Sequence, residues 1–409
     1  MSNNLVTIDM VTREALRIAH EKCQFISTTD RQYDSSFAKT GAKIGASLRV
    51  RKPNQYLRTQ GTRVMDVQEQ DEQTSTVTVA TQDHVDMRFN SAELALSLDE
   101  LSKRYIEPAV SSLVSAIEGD YLAYATKKTY NVVGTAGTAI TDLTAPGLAR
   151  ARLNQMLAPK DRNRAIQMDS VTMAGLVKGV AAYFNPSGAI SEQYREGLVA
   201  RTSMADYYEN ERVWTLTNSA DVTVTTAAAA AVTDGGTNIT LASVAAGDTT
   251  AGMTFTVAGV YACHPETKQS LGYLQPYVVI TGGATTQTVS PATILTGPRQ
   301  NVCSAASAQL ATTAYNGTAV AVTFFGAANT SYAQSLMYHK EAFQFVTADL
   351  PLMDDAHKCV RRSQDGLSLR VWQASDIRND ELLMRIDILY GMAALRPEWA
   401  CRMIGAASA

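Results

Sequence analysis

RIDILYGMAALRPEWACRMIG, Arg385 to Gly405, runs almost to the last residue of the chain. It is an apolar-alternating run, then Arg396-Pro397, then a second apolar run. Ile386, Ile388, Tyr390, Met392 and Ala394 occupy every second position, which in an extended chain places them on one face. The pattern predicts a strand over Arg385 to Arg396, reaching roughly 40 Å at about 3.3 Å per residue. Chain ends usually fray. An ordered strand here needs a partner of similar length.

Ser97 to Tyr130 supplies one. Val110, Leu113, Val114, Ile117, Tyr121, Leu122, Tyr124 and Ala125 recur at helical spacing. Ser97 with Glu100 reads as a capping box, and Pro108 stands where a helix begins or kinks. One helix over Arg104 to Thr129 spans roughly 39 Å at 1.5 Å per residue. Strand along helix predicts an elongated α/β wedge with the closing strand as its floor.

Ahead of that wedge lie two segments that cannot be stable alone. Ile8 to Cys23 reads as an amphipathic helix, with Met10, Ala15, Leu16, Ile18 and Ala19 on one side. It is too short to persist unsupported in water and must dock on something, in its own chain or in a neighbour. Gln24 to Phe89 is polar, with almost no core. Leu48 and Val50 alternate in one stretch, Val77 and Val79 in another, with Pro53-Asn54 and Gly61 between them. That is an extended two-stranded arm with a long tip, and a lone hairpin is marginal in water. Its charges are sorted: Arg49, Arg51, Lys52, Arg58 and Arg63 first, then Asp66, Glu69, Asp71 and Glu72. A solvated charge run is the plainer reading. The sharper one is a projecting arm matched by charge to another subunit.

Downstream, Ala145 to Thr217 mixes helices ("GLARARLNQMLAP", stopped by Pro159; "SVTMAGLVKGVAAY"; "ISEQYREGLV") with a strand at "AIQMDS". At Asn218 the composition shifts. Through Ser331 the chain is rich in Thr, Ala, Val and Gly and nearly free of charge, with turns at Asp234-Gly235-Gly236 and Gly247-Asp248. Short strands at regular spacing predict a small β-barrel or sandwich. Strands return at "EAFQFVTADLPL" and "GLSLRVWQASD", so a β domain interrupts another domain.

The chain has 409 residues, 45% hydrophobic, and a formal net charge of -3. That length exceeds one ordinary core, and near-neutrality argues against a dedicated nucleic-acid binder. Cys23, Cys263, Cys303, Cys359 and Cys401 are scattered, with no CxxC pair, which predicts free thiols rather than a disulfide framework or zinc cluster. No signal peptide and no bilayer-spanning run is read. Catalytic constellations are lacking: no phosphate loop, no GxSxG elbow, no HExxH. His20, His84, His264, His339 and His357 each stand alone. Cys263-His264 and His357-x-Cys359 are paired ligands without a second pair, and Asp354-Asp355 reads as a solvated turn. Trp214, Trp372 and Trp399 read as packing. The reading is no enzyme, no cofactor and no metal.

The order of these parts resembles the major capsid proteins of tailed phages with the Hong Kong 97 fold: N-arm, charged E-loop, spine helix, α/β segment, inserted β domain, closing strands. The closing pattern of strand, Arg-Pro pair and short strand falls on Arg385 to Arg396, Arg396-Pro397 and Ala400 to Ile404. The inserted domain makes it similar to coat proteins of podoviruses of the Salmonella-phage type. "FNPSGAISEQYREGLVA" and "ITLASVAAGDTTAGMTFTVAGV" sit where those have comparable stretches. The resemblance implies an α+β fold divided as 1–35 N-terminal arm, 36–90 E-loop hairpin, 91–134 P-domain part with the spine helix, 135–217 A-domain part, 218–331 inserted β domain, and 332–409 return to the A- and P-domains. It implies self-assembly as pentamers and hexamers into an icosahedral shell (head) around double-stranded DNA. The arm would lie on one neighbour and the leading helix dock on another. A separate scaffolding protein is implied, since the arm begins within about 40 residues, and a portal protein; no membrane is involved. Location in the virion after assembly in the host bacterial cytoplasm follows. Some relatives crosslink an E-loop lysine; Lys43 and Lys52 lie in that region, where a solvated or ion-paired lysine is the plainer reading. An encapsulin-like nanocompartment of the same fold is the alternative. An enzyme or adhesin with a β domain is the third reading, opposed by the missing constellations and missing signal peptide.

Overall fold

The computed structural model describes residues 8–32, 47–61, 65, 67–68, 72–90, 102–180, 205–219, 223–226, 234–242, 249–282, 286–304, 320–352, 358–364, 366–376, 378 and 381–407. Two compact units result. The first holds Met1–Val50, Thr74–Leu122 and Phe343–Leu395; the second holds Arg51–Gln73, Ala123–Ala342 and Arg396–Ala409.

The closing run begins earlier than its alternation suggests. It forms the strand Glu381–Ala394, ending before the Arg396-Pro397 break. This strand is central in the first unit's sheet. It pairs antiparallel with Thr81–Asn90, Leu367–Asp376 and Phe343–Ala348. Lys358–Gln364 extends the sheet antiparallel, and Asp30–Gln32 adds parallel to Phe343–Ala348.

Both faces of the central strand are buried, where one apolar face was expected. Ile386, Ile388 and Tyr390 fill one side, while Leu389, Ala393 and Leu395 fill the other. On the first side Tyr390 stacks on Phe345 at 5.4 Å, and Phe345 meets Tyr121 at 5.3 Å. On the second, Leu389, Ala393 and Leu395 cluster with Val77, Val79 and Val346. A strand covered on both faces needs a near-continuous apolar run, which explains why the stretch stood out. The polar Gln24 to Phe89 region is therefore not coreless. Val77, Val79 and Phe89 are buried, and the return arm passes at Thr81 into a ten-residue sheet strand.

The long helix is Glu107–Lys128, entered through a π turn at Ser102–Ile106. At 1.5 Å per residue it runs about 33 Å. Pro108 sits in its first turn, where a missing N–H costs nothing. The expected Ser97–Glu100 cap lies outside the described residues. The leading helix, Ile8–Lys22, buries Val11, Ala15, Leu16, Ile18 and Ala19. A void of about 20 Å³ lined by Ala19, Cys23, Leu113, Ile117, Phe345 and Ile388 marks where it meets the long helix and the sheet. The turn Phe25–Thr28 follows, its N-terminus closed by buried Glu118. The Glu118 carboxylate accepts from the N–H groups of Gln24, Phe25 and Ile26 at 2.5, 2.7 and 3.3 Å. An anion there offsets the exposed amide dipoles. The leading helix thus packs inside its own unit, its apolar stripe set in the groove beside the long helix.

In the second unit, the sheet order is Val132–Val133, Ala400–Ala407, Ser331–His339, Arg164–Met168, Asp206–Glu209, with Thr215–Thr217 beside Ser331–His339. The two halves of the closing run therefore belong to different sheets, with the change of unit at Leu395/Arg396. Helices Thr144–Gln155 and Ser170–Val180 flank Arg164–Met168 in sequence. The helix expected over "ISEQYREGLV" lies outside the described residues.

Strands between Thr223 and Phe324 form a separate seven-stranded sheet. Because Thr254–Cys263 pairs with Ser270–Thr281 as well as with Ala321–Phe324, the ladder closes on itself as a barrel. Its core holds Phe255, Tyr277, Phe324, Val257 and Val279. The low charge and Thr/Val alternation of this segment are what a small closed barrel requires.

Candidate assembly surfaces

The arm is built from a fixed root outward. Ser47–Arg51 and Thr74–Thr78 pair as a two-stranded sheet. Val50, Val77 and Val79 seat it in the apolar cluster of the first unit. Gly391 makes that seat possible: a Cβ there would lie 2.3 Å from the Thr78 carbonyl oxygen. Beyond the root, Lys52 N–H donates to Gln73 O at 2.8 Å. The Gln68 side chain then grips Leu57, accepting from its N–H at 2.8 Å and donating to its carbonyl at 2.6 Å. A side-chain amide here takes the place of a strand partner.

Of the charged residues predicted to carry subunit contact, Arg49, Arg51, Lys52, Arg58 and Glu72 are described; Arg49, Arg51, Arg58 and Glu72 are exposed and Lys52 is half-buried. Arg51 and Glu72 meet across the arm at 3.4 Å, and Arg58 donates to Gln60 at 3.2 Å. One of the sorted charge pairs therefore lies within the arm. Arg63, Asp66, Glu69 and Asp71, like Lys43, lie outside the described residues. The reading by charge missed a second feature. Met65 is 85% exposed, Val67 76% and Tyr56 56%. Large apolar groups set among charges in a polar arm, as in "RVMDVQEQDE", were the available signal.

The barrel is tied to the rest of its unit by Arg402, which is fully buried. Its Nε donates to Thr129 O at 2.9 Å and its Nη1 to Gly252 O at 2.7 Å. Thr129 follows the C-terminus of the long helix, where a cation meets the negative end of the helix dipole. Gly252 belongs to the barrel segment and has φ +99°; a Cβ there would lie 2.4 Å from the Trp214 ring. Trp214 packs against the barrel core, with the Lys127 ammonium 5.2 Å from its ring centroid. The Arg152 guanidinium lies 3.0 Å over the ring of Tyr273. Burial pushes the Arg402 guanidinium down to about 9, so it stays charged at neutral pH.

Two of the isolated histidines, His264 and His339, have local roles. His264 Nδ1 accepts from the N–H groups of Glu266 and Thr267. His339 Nε2 lies 3.0 Å from Asp161 Oδ1. Trp399 packs edge-on to His339 and donates from its indole to Met156 O at 3.0 Å. Among the described residues no three His, Cys, Asp or Glu side chains come together as a metal site. No described helix is long and apolar enough to cross a membrane.

The sequence model of the family described as P22 coat protein, gene protein 5, matches residues 71–405. No curated protein matches the chain. Among solved structures, one titled Mycobacterium phage Che8 is 8% identical, with TM-score 0.47, covering 93% of this chain and 90% of that one. The capsid of Ralstonia phage GP4 is 9% identical, with TM-score 0.44, covering 93% and 86%. A virus-like particle from Pyrococcus furiosus is 8% identical, with TM-score 0.36, covering 97% and 98%.

Proposed function

The chain belongs to the P22 coat protein family, the major capsid proteins of tailed phages, and from that premise we propose that its copies close an icosahedral head around double-stranded DNA. As a capsid subunit it is a structural protein of the virion with the Hong Kong 97-type fold. The finer reading has pentamers and hexamers joined through the arms, with a separate scaffolding protein and a portal protein as partners and assembly in the host bacterial cytoplasm. The protein does no catalysis in this reading. Its work is differential burial.

The observation that carries the reading is the arm itself. Its root is locked into an apolar cluster, while Met65, Val67 and Tyr56 at the far end face water. Exposed apolar groups rimmed by charge mark association surfaces. Each arm contact adds little alone, and exposed ion pairs between subunits are worth about 0–1 kcal/mol. Many weak contacts per subunit let errors dissolve, while the sum holds a closed shell. The charged residues from Arg49 to Glu72 set register and reject wrong neighbours in this scheme. The near-neutral chain suits a container that must release its DNA, since a strongly basic wall would bind phosphates in a salt-dependent grip.

Particles purified from the phage's own host test the DNA claim. Double-stranded DNA protected from added nuclease is the expected content. Particles filled with one enzyme and no protected DNA would instead identify a nanocompartment.

A further inference from the structure

Barrel closure brings together two cysteines that lie far apart in the sequence. Cys303 sits directly across the ladder from Tyr261, with Val302 across from Ala262. Cys263 follows on the same strand, and its N–H donates to Asn301 O at 3.0 Å. Residues two apart on a strand share a face, so Cys263 and Cys303 are diagonal neighbours. Both are buried and both are free thiols. The two thiols lie within interaction range of each other, and the Cys263 thiol donates to His264 O at 3.8 Å. Ser270 is the strand partner of Cys263. Cys303 Sγ lies 3.7 Å from Ala262 O, against the backbone of the opposite strand. Cys263-His264 looked in the sequence like half of a metal site. Its real neighbour is a second thiol.

We propose that Cys263 and Cys303 form a dithiol that closes to an intramolecular disulfide when the protein leaves the reducing cell. The chemistry needs only the barrel; its timing rests on release of the virion. The oxidant is a small-molecule disulfide. Cys303 attacks as its thiolate. It displaces one small thiolate and forms a mixed disulfide. Cys263 then attacks the Cys303 sulfur and releases the second. One S–S bond breaks and one forms, and the two protein protons leave with the two small thiols. Burial raises both thiols, so little thiolate is present at neutral pH and closure is slow. Lys268, whose Nζ donates to Pro298 O at 2.5 Å, lies beside Cys263 and favours its thiolate in the second step. The closed bridge would pin Thr254–Cys263 to Val302–Cys303, the strand at the end of the barrel sheet's pairing order.

Shells purified under reductant are divided, and half are incubated with oxidised glutathione. Both halves are then denatured, alkylated, digested without reductant and read by mass spectrometry. The expected result is a peptide pair joined at Cys263 and Cys303 in the oxidised half alone, with Cys23, Cys359 and Cys401 still alkylated. C303S and C263S each abolish the joined pair, and C359S leaves it. Complete alkylation of Cys263 and Cys303 after oxidation would overturn the proposal, as would their recovery only as glutathione adducts or linked to other cysteines. The wild-type map decides if a variant fails to fold. The same map on unassembled soluble chain gives the same linkage, so a failure to form shells is distinguishable from a failure of this chemistry.

Discussion

Arg402 sits in the apolar run "WACRMIG" as its one charge, and the structure buries it completely. Isolated burial of a guanidinium would be prohibitive; here it donates to Thr129 O and Gly252 O. R402M keeps much of the volume and removes the donors. It should cost the subunit about 3 kcal/mol, the scale of lost hydrogen bonds to a charged group, read as a lower urea midpoint of the soluble chain. R402K should fall between, since one ammonium cannot span both carbonyls as a planar fork does. An unchanged midpoint for R402M would mean that Trp214 and the barrel core carry that junction alone. Nothing in the sequence pattern announced this role. An arginine in a strand is usually at the surface, and its two acceptors come from residues far away along the chain. Gly391 was equally silent: its need for a missing Cβ comes from Thr78, which the arm lays across it.

The arm and the closing strand show where pattern reading succeeds and where it stops. The closing strand was legible because twelve residues alternate and a proline ends them. Its second buried face was not legible, because Val77 and Val79, which cover it, lie in a segment that reads as polar. The arm was legible as an extended hairpin with sorted charges. Its apolar tip was not, because Met65 and Val67 form no periodic pattern. The leading helix was legible as amphipathic, but periodicity gives no information on what covers the stripe, and its own long helix and sheet do so. The arm carries the element-level prediction. M65D with V67D should leave the urea midpoint within about 0.5 kcal/mol of the parent, as expected for exposed positions. The same variant should fail to form shells by sedimentation. Normal shells from it would remove the tip from the assembly contacts.

Across the whole molecule, the barrel lies inside the sequence of the second unit, and its core takes in Leu216 and Trp214 from the chain just before it. With Arg402–Gly252 and Arg152–Tyr273, those contacts lead to the prediction that the barrel supports the subunit from within. Deleting Val222 to Ala328 with a short bridge should expose Trp214 and Leu216 and sharply reduce the yield of soluble subunit. Undiminished yield with normal shells would assign the barrel a role outside the subunit's own stability. The central claim is that the arm, seated at its root, completes its burial on a sister copy. Cryo-electron microscopy of the expressed protein tests it most directly. The account predicts closed shells in which Met65 and Val67 of each copy are covered by a neighbour. Discrete non-associating subunits, or shells in which those two side chains still face solvent, would contradict it.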